Sequence, residues 1–522
     1  FHNLILALLE KATSASSYAD EVAMIPELIY NLIRLWLSTN DTGTAAKAGC
    51  LLYNLLKASR DEAIGQEYGA GQMWRRVFRD KDVYGLFFEI CGPKKQPDQT
   101  RSQKTIAQAR LLEFLPNVGR LSWLAITQHS NTGVESSSIS ASKPEDQNLL
   151  SFAACFMVDT ESDVLMHRTL INFYSDLLAC SNDNSTHRSK NASPALDFML
   201  SRGLHERTIM LYLDPKKSGV AQFDLTFLQE PAVSYIATYA VTYPEHFLES
   251  QELPRVREKL YGSFNISAAR WARGDSPTEA CRLLSSLPRQ ALVPDVTMSW
   301  EQSPLALLSP KLSNPDVFHT LARVFHGPPA KEITMTTSIS SPWRTSNEPQ
   351  VDRERVNART LYQLYDSRNP DFWKEVVSHA KIVAMKEKAL AAIDLISAVI
   401  TAVWSEKCFE TALDVDQQIS QRLPNKGIQV ILDQHASGSI IPYLLSPAET
   451  FSHLVGGRGD VESAAYKVAG AKYDTLKLFC QRIEDLEQPD LETLKTAARQ
   501  RLAEGIWGKG AEVGGRIATL EL

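Results

Sequence analysis

Three arginines and two aspartates lie close together in the stretch GQMWRRVFRDKDVYGLFFEICG. Helical spacing places Arg75, Arg76 and Arg79 on one face if the aromatic and aliphatic residues turn towards the core. Guanidinium groups bind phosphates and carboxylates through paired hydrogen bonds, so this face is a candidate site for phosphate or an acidic protein partner. The alternative is a solvated helix face that pairs locally with Asp80 and Asp82.

The same stretch predicts two short helices joined by a turn. Apolar residues fall at helical spacing before and after the charges: Met73, Trp74, Val77 and Phe78, then Val83, Phe87 and Ile90. Asp80 or Asp82 is placed to cap the second helix. The spacing therefore favours a joint between packed helices over a catalytic site.

No known catalytic or cofactor motif occurs in the sequence. The phosphate-binding loop, the zinc-protease motif, the nucleophile elbow and the dinucleotide-binding glycine motif are all absent, and GAGQMW has Trp74 where the last of these needs a glycine. His167 follows the apolar side of a helix, which favours a core or flanking histidine over a ligand or base. We expect no enzyme activity, no cofactor, no metal and no small-molecule substrate.

Composition and charge are those of an ordinary soluble folded protein. The chain has 522 residues, 44% hydrophobic and 22% charged, with a formal net charge of −6 that disfavours nucleic acid as the main partner. Seven scattered cysteines, without paired spacing, indicate free buried thiols in a reducing compartment. No apolar run is long enough to span a membrane. We expect a cytoplasmic protein that also enters the nucleus and has no membrane partner.

Apolar stripes at steps of three and four residues dominate the sequence and predict an all-α fold. The clearest stripes are Val22–Ile25–Ile29–Leu32–Trp36, Met166–Leu170–Phe173–Leu177, Met385–Ala389–Ala392–Ile396–Val399–Val403 and Ala469–Tyr473–Leu476–Cys480. Helix pairs recur at roughly 40 to 50 residues, as in HEAT or armadillo repeats. We therefore predict an α-solenoid of stacked antiparallel helix pairs.

Several local features refine this prediction. We expect Pro116 to end one helix, Asp460 of GGRGDV to cap a helix beginning near Val461, and EITMTTSI to form a strand or a loop. The apolar residues of FHNLILALLEK need a covering layer, so we expect further residues upstream. The predicted buried core includes Trp36, Leu55, Phe87, Phe114, Phe173 and Ile396.

The prolines and hydroxyl residues predict three segments. Residues 1–287 form N-terminal helical repeats, residues 288–352 a Pro/Ser-rich join with one short helix near Pro315–His326, and residues 353–522 C-terminal helical repeats.

Four blocks of the sequence resemble one protein family, with the best similarity from about Ala45 to Glu249. The blocks are GQMWRRVFRDKDVYGLFFEIC, IAQARLLEFLPNV, LLSFAACFMVDTESDVLMHRTLINFYSDLL and SPALDFMLSRGLHERTIMLYLDP. They resemble the fungal branch of the 26S proteasome non-ATPase regulatory subunit 5 family, whose members are often labelled DNA mismatch repair proteins. These blocks combine aromatic and charged residues and contain no catalytic signature.

The resemblance implies a HEAT/armadillo-like assembly chaperone. Members of that family hold the C-terminal domain of one AAA+ ATPase subunit while the base of the proteasome 19S regulatory particle assembles. The label on the fungal branch keeps a DNA mismatch-repair accessory protein as an alternative, against which the net charge speaks. Another helical-repeat interaction scaffold is the third reading.

Overall fold

The computed structural model is a chain of packed α-helices. It describes residues 2–59, 71–93, 99–128, 148–180, 193–273, 276–294, 298–312, 314–328, 348–405, 425–448 and 462–507. Within these ranges the only β pairing is an isolated bridge between Val403 and Lys426. The predicted all-α fold class is confirmed. EITMTTSI lies outside the described residues.

The chain divides into two compact units, Phe1–Glu245 and His246–Leu522. The described helices of the first unit, with α14 at the boundary, are α1 (His2–Glu10), α2 (Ser16–Ala23), α3 (Pro26–Ser38), α4 (Thr42–Ala58), α5 (Gln72–Phe78), α6 (Lys81–Cys91), α7 (Arg101–Leu121), α8 (Trp123–Thr127), α9 (Leu149–Ser151), α10 (Val164–Leu178), α11 (Pro194–Ser201), α12 (Leu204–Leu213), α13 (Gln222–Thr242) and α14 (Pro244–Glu249).

The second unit continues the helical pattern. Its described helices are α15 (Glu252–Phe264), α16 (Ala268–Ala272), α17 (Thr278–Ser286), α18 (Pro315–His326), α19 (Glu348–Arg368), α20 (Phe372–Ala380), α21 (Lys386–Thr401), α22 (Gly427–Leu432), α23 (Gln434–Leu445), α24 (Ala464–Glu484) and α25 (Glu492–Ala503). The predicted helix Pro315–His326 is confirmed, and the described part of the predicted 288–352 join belongs to this unit.

Three long helices of the first unit, α7, α10 and α13, lie side by side and run parallel. Near the starts of α7 and α10, the Arg101 guanidinium donates to the Ser162 carbonyl at 3.1 Å, and near their ends Cys180 Sγ donates to the Pro116 carbonyl at 3.1 Å. The neighbouring α10 and α13 keep the same direction, since Arg168 meets Glu230 at 2.8 Å and the Tyr243 hydroxyl donates to the Leu178 carbonyl at 2.9 Å.

The second unit repeats this arrangement with α18 and α21. His319 Nδ1, in the first half of α18, lies 3.6 Å from Asp394 Oδ2 in the middle of α21. In the last turn of α18, the Phe325 carbonyl accepts a hydrogen bond at 2.9 Å from the indole N–H of Trp404, which follows the end of α21. The two helices therefore also run parallel, and α24 packs against α21 as well.

Consecutive helices form antiparallel pairs in both units. In the α12–α13 pair, His205 at the start of α12 lies 2.8 Å from the Tyr235 hydroxyl in the second half of α13. In the α24–α25 pair, Glu484 at the end of α24 meets Arg499 at 2.6 Å, and the Tyr473 hydroxyl in the middle of α24 donates to the Leu502 carbonyl at the end of α25 at 3.0 Å. Antiparallel pairs stacked so that alternate helices are parallel define a helical-repeat solenoid. The predicted HEAT/armadillo-like α-solenoid is thus confirmed within each unit.

The predicted core is buried throughout. The six residues are exposed by at most 7% of their surface: Trp36, Leu55, Phe87, Phe114, Phe173 and Ile396. Trp36 and Phe114 pack their rings with centroids 4.7 Å apart, which joins α3 to α7. These contacts show that the helical stripes are the faces along which neighbouring helices stack.

Proline had different effects at two positions. Pro116 lies inside α7, so the prediction that it ends a helix is wrong; buried packing of α7 outweighs the hydrogen bond lost at the proline nitrogen. Pro26 instead begins α3 and holds the preceding Ile25 in an extended conformation, φ −104° and ψ 90°. The stripe predicted from Val22 through Ile25 is therefore wrong at its start, and Ile25 is 51% exposed.

Other predicted helix ends also shift. Met385 and Val403 lie outside α21 and are 55% and 39% exposed, so the long stripe is confirmed only for its inner members. The helix expected near Val461 begins at Ala464, and Ser463 caps it by accepting a hydrogen bond from the Tyr466 amide at 3.2 Å. The prediction that a helix begins near Val461 is therefore wrong, and Asp460 itself lies outside the described residues.

Gly427 and Gly438 differ in the space that is available for a side chain. A Cβ at Gly427 would lie 1.9 Å from the Val399 carbonyl oxygen, whereas a Cβ at Gly438 within α23 meets nothing within 4 Å. We expect Gly427→Ala to lower the free energy of unfolding by about 1–3 kcal/mol through overpacking. Gly438→Ala should raise it by about 0.5–1 kcal/mol by favouring the helix. Urea titrations of both variants provide the measurement, and effects of the same sign would contradict this reading.

Candidate functional site

The corner between α5 and α6 has the predicted helix–turn–helix form. The Asp80 carboxylate accepts hydrogen bonds from the backbone amides of Asp82 at 3.0 Å and Val83 at 3.3 Å. Asp80, rather than Asp82, is therefore the residue that caps α6. This cap fixes the direction in which α6 leaves the turn.

Buried hydrogen bonds attach α5 to the end of α4. The indole N–H of Trp74 donates to the Leu56 carbonyl at 2.9 Å and to the Ser59 carbonyl at 3.1 Å. Ser59 Oγ accepts from the Met73 amide at 3.2 Å and donates to Asp20 at 2.7 Å. These bonds satisfy backbone groups that the ends of α4 and α5 would leave unpaired. The arginines of α5 are therefore presented from a fixed support.

Arg76 is part of this support. Its Nε donates to the Ala23 carbonyl at the end of α2 at 2.9 Å, and its guanidinium also pairs with Asp80. The Arg76 side chain is only 24% exposed. It thus joins α2, α5 and the α6 cap, and does not project freely towards a partner.

Arg75 and Arg79 remain at the surface. Both side chains are exposed; Arg75 lies on α5, and Arg79 is the residue that follows its last turn. Arg79 makes one long contact to the Gln128 side-chain oxygen at 3.4 Å. Of the three arginines predicted to form one face, only Arg75 and Arg79 are therefore exposed enough to contact an acidic group on a partner.

An acidic cleft of about 620 Å³ lies between the start of α3 and one side of α6, and the capping residue Asp80 is part of its lining. Glu27, Asp82 and Glu89 line it together with Lys81. Gly85 also lines the cleft, and a Cβ at this position would meet no atom within 4 Å. Sequence reasoning missed this cleft because α3 and α6 are distant in sequence. The sequence feature that could have indicated the cleft was the presence of acidic side chains on the outer faces of both helices.

Burial shifts the pKa of His167 and of four buried cysteines in the described ranges. His167 is half-buried, and burial lowers its pKa while the Asp224 carboxylate opposes that shift. Cys91, Cys180, Cys281 and Cys480 are buried free thiols, as predicted, but Cys50 is exposed and Cys155 is half-buried, so the prediction that the thiols are buried is wrong at these two positions. Burial raises the pKa of Cys180 and Cys281 to about 12 and that of Cys480 to about 11, so the nucleophilic thiolate is disfavoured. Cys408 lies outside the described residues.

The described residues contain neither a metal-binding cluster nor a membrane-spanning helix. No group of three or more His, Cys, Asp or Glu side chains in the described ranges is arranged to hold a metal ion. No described helix combines the length and apolarity needed to cross a membrane. Within the described ranges, the α5–α6 corner and its acidic cleft are surface features of a helical stack.

Comparisons with known proteins add little. No family model matches the chain, and no curated protein matches it. Among solved structures, the crystal structure of SYS-1 aligns over 97% of this chain and 87% of its own chain, with 11% sequence identity and a TM-score of 0.25. A superposition at that score is too poor to carry an argument about this protein.

Proposed function

We propose that this protein is a helical-repeat assembly chaperone for the proteasome, acting in the cytoplasm. Its partner would be the C-terminal domain of one AAA+ ATPase subunit of the 19S base. The observation that supports this most is the parallel stacking of alternate helices, seen in α7–α10–α13 and again in α18–α21. The partner itself comes from the sequence resemblance.

A stacked array suits this task because it presents a broad surface whose shape exists before the partner binds. Each helix contacts mainly its neighbours, and binding orders little new backbone. The core side chains that hold the layers together are fully buried, including Phe173 and Ile396. The array therefore holds a folded domain by shape, without a catalytic centre.

Charge would determine how fast a partner associates and which partner is selected. Arg75 and Arg79 are exposed at this corner, and the lining of the acidic cleft includes Asp80, the residue that follows Arg79, so the corner presents both signs of charge. Exposed charges at the edge of an interface mainly change the association rate. We therefore place Arg75 and Arg79 at the rim of the proposed partner-binding surface. Arg76 instead has a structural role beneath that surface.

The direct test measures binding of the full chain to isolated C-terminal domains of the proteasomal ATPases. We expect one domain to bind with one-to-one stoichiometry, and no ATP hydrolysis by this chain. The variant Arg75→Glu/Arg79→Glu should slow association by up to about tenfold, with little change in the dissociation rate. Lys216→Glu, a lysine of the same unit outside the corner, serves as the control.

Two outcomes would overturn the proposal. If no ATPase domain bound the folded full chain, the chaperone function would be wrong. If duplex DNA bound instead, with an affinity that falls steeply as salt rises, the mismatch-repair alternative would replace it. A negative formal charge of −6 makes that second result unexpected.

A further inference from the structure

A second pocket lies entirely within the second unit, away from the α5–α6 corner. It has a volume of about 400 Å³ and is formed by α19, the start of α20, the α22–α23 turn and Gln488. The polar residues Asp366, Asp433, His435 and Gln429 are among those that line it. Neither lysine nor arginine is among the residues that line it.

The unusual group in this pocket is the Asp366 carboxylate. Its Oδ1 is buried and has no hydrogen-bond partner among the described residues. Burial raises the pKa of Asp366 to about 6; the nearby His435 opposes this shift, and the Asp433 carboxylate adds to it. At neutral pH the pocket therefore holds a largely ionised carboxylate, one oxygen of which has no hydrogen-bond donor among the described residues.

Asp433 supplies a second carboxylate in a fixed position. It caps α23, with Oδ1 accepting the Gln434 backbone amide at 2.9 Å. Asp433 is exposed, whereas Asp366 is more buried. A cation that enters would meet one exposed and one half-buried carboxylate in a pocket that the Gln429 and Gln488 amides also line.

The walls favour an organic cation over a metal ion. No cluster in the described ranges is arranged to hold a metal, and the space is much larger than one ion needs. Trp373 forms one wall and is locked by its indole N–H, which donates to the Tyr362 hydroxyl at 3.0 Å. A planar, weakly hydrated group with several donors matches two carboxylates, amide oxygens and an aromatic wall.

We propose that this pocket binds a guanidinium group. Asp366 and Asp433 accept its N–H donors, and the side-chain oxygens of Gln429 and Gln488 accept the remainder. The group is either the side chain of an arginine on a protein partner or a free guanidine compound such as arginine. This inference does not depend on the proposed chaperone function, since it concerns a pocket and a ligand of its own.

The test is calorimetric titration of the full chain with N-acetyl-arginine methylamide at pH 7.5. The matched ligand is N-acetyl-citrulline methylamide, which has the same shape without the charge. We expect the arginine compound to bind and Asp366→Asn to weaken it at least tenfold. Asp371→Asn, which changes an exposed carboxylate on the neighbouring turn that does not line the pocket, should leave the affinity unchanged.

Equal binding of the citrulline compound, or unchanged affinity in Asp366→Asn, would overturn the proposal. Equal binding of the corresponding lysine compound would overturn the guanidinium assignment. Free arginine and the peptide acetyl-Ala-Arg-Ala-amide distinguish the two sources: tighter binding of the peptide supports a protein partner, and tighter binding of arginine supports a small molecule.

A second measurement keeps the test independent of ligand choice. Because the pKa of Asp366 is raised on folding, its ionisation destabilises the folded state as pH rises from the ordinary aspartate range through about 6. Asp366→Asn should therefore gain stability relative to the native chain between pH 4.5 and pH 7.5. Asp433, His435 and Tyr362 face the same space and are unchanged in this comparison. A constant difference across that range would show that Asp366 carries no uncompensated charge.

Discussion

Replacing Glu354 by alanine is expected to lower the free energy of unfolding of the second unit by about 3–5 kcal/mol. Glu354 and Arg289 form an ion pair with an N–O distance of 2.9 Å, and each side chain is only 5% exposed. The Glu354 carboxylate also accepts the Arg289 backbone amide at 3.1 Å. Alanine would leave the guanidinium buried without its counter-charge, which is the main source of the loss.

Arg289 also donates hydrogen bonds to two backbone carbonyls of the second unit. Its Nε donates to the Val324 carbonyl at 2.9 Å and its Nη2 to the Arg323 carbonyl at 2.6 Å, so it links the turn after α17 to the end of α18 and to α19. The double variant Arg289→Met/Glu354→Leu should recover only part of the stability, because both carbonyls lose their donor.

Chemical denaturation followed by tryptophan fluorescence provides the measurement for this pair. Glu484→Ala, which breaks an exposed pair with Arg499, is the matched control and should have a much smaller effect. Similar losses for Glu354→Ala and Glu484→Ala would show that burial of the first pair has no energetic consequence.

Phe173→Ala should cost the first unit about 3–5 kcal/mol. Phe173 is 2% exposed on α10, the helix that packs against α7 on one side and α13 on the other. The neighbouring Tyr174 is held by a hydrogen bond from its hydroxyl to the Ala154 carbonyl at 2.6 Å. With both flanking helices and Tyr174 fixed, the cavity left by the phenyl ring has little freedom to collapse.

Asn172→Ala is the control for Phe173, since Asn172 is exposed on the same helix. Its effect should stay within about 0.5 kcal/mol. A loss below about 1 kcal/mol for Phe173→Ala would show that this layer repacks readily, and would contradict a tightly stacked core.

Sequence reasoning succeeded where a single physical signal dominates. Apolar residues at helical spacing located α10, α18 and the α5–α6 corner, because burial of one face decides whether such a helix forms. It failed at Pro116, where packing against other helices outweighs a local preference that the sequence shows clearly. The position of Pro26 shows the same residue type obeying the local rule at a helix start.

The candidate sites were harder to predict because they depend on distant residues. Nothing near Arg76 in the sequence shows that its guanidinium reaches the Ala23 carbonyl. The Asp366 pocket combines side chains from α19 to Gln488, and its main feature, a buried carboxylate oxygen without a partner, exists only after folding. Periodicity identifies which face of a helix is buried but does not identify which neighbour it meets.

The parallel layers also bear on the order in which the chain folds during synthesis. The contacts that join α7 to α10 and α10 to α13 connect residues 61 and 62 positions apart, as in Arg101–Ser162 and Arg168–Glu230. Each new helix thus meets its partner soon after it leaves the ribosome, and loop closure stays inexpensive in entropy. We expect the emerging protein to become protease-resistant stepwise, from its amino-terminal end, before translation is complete.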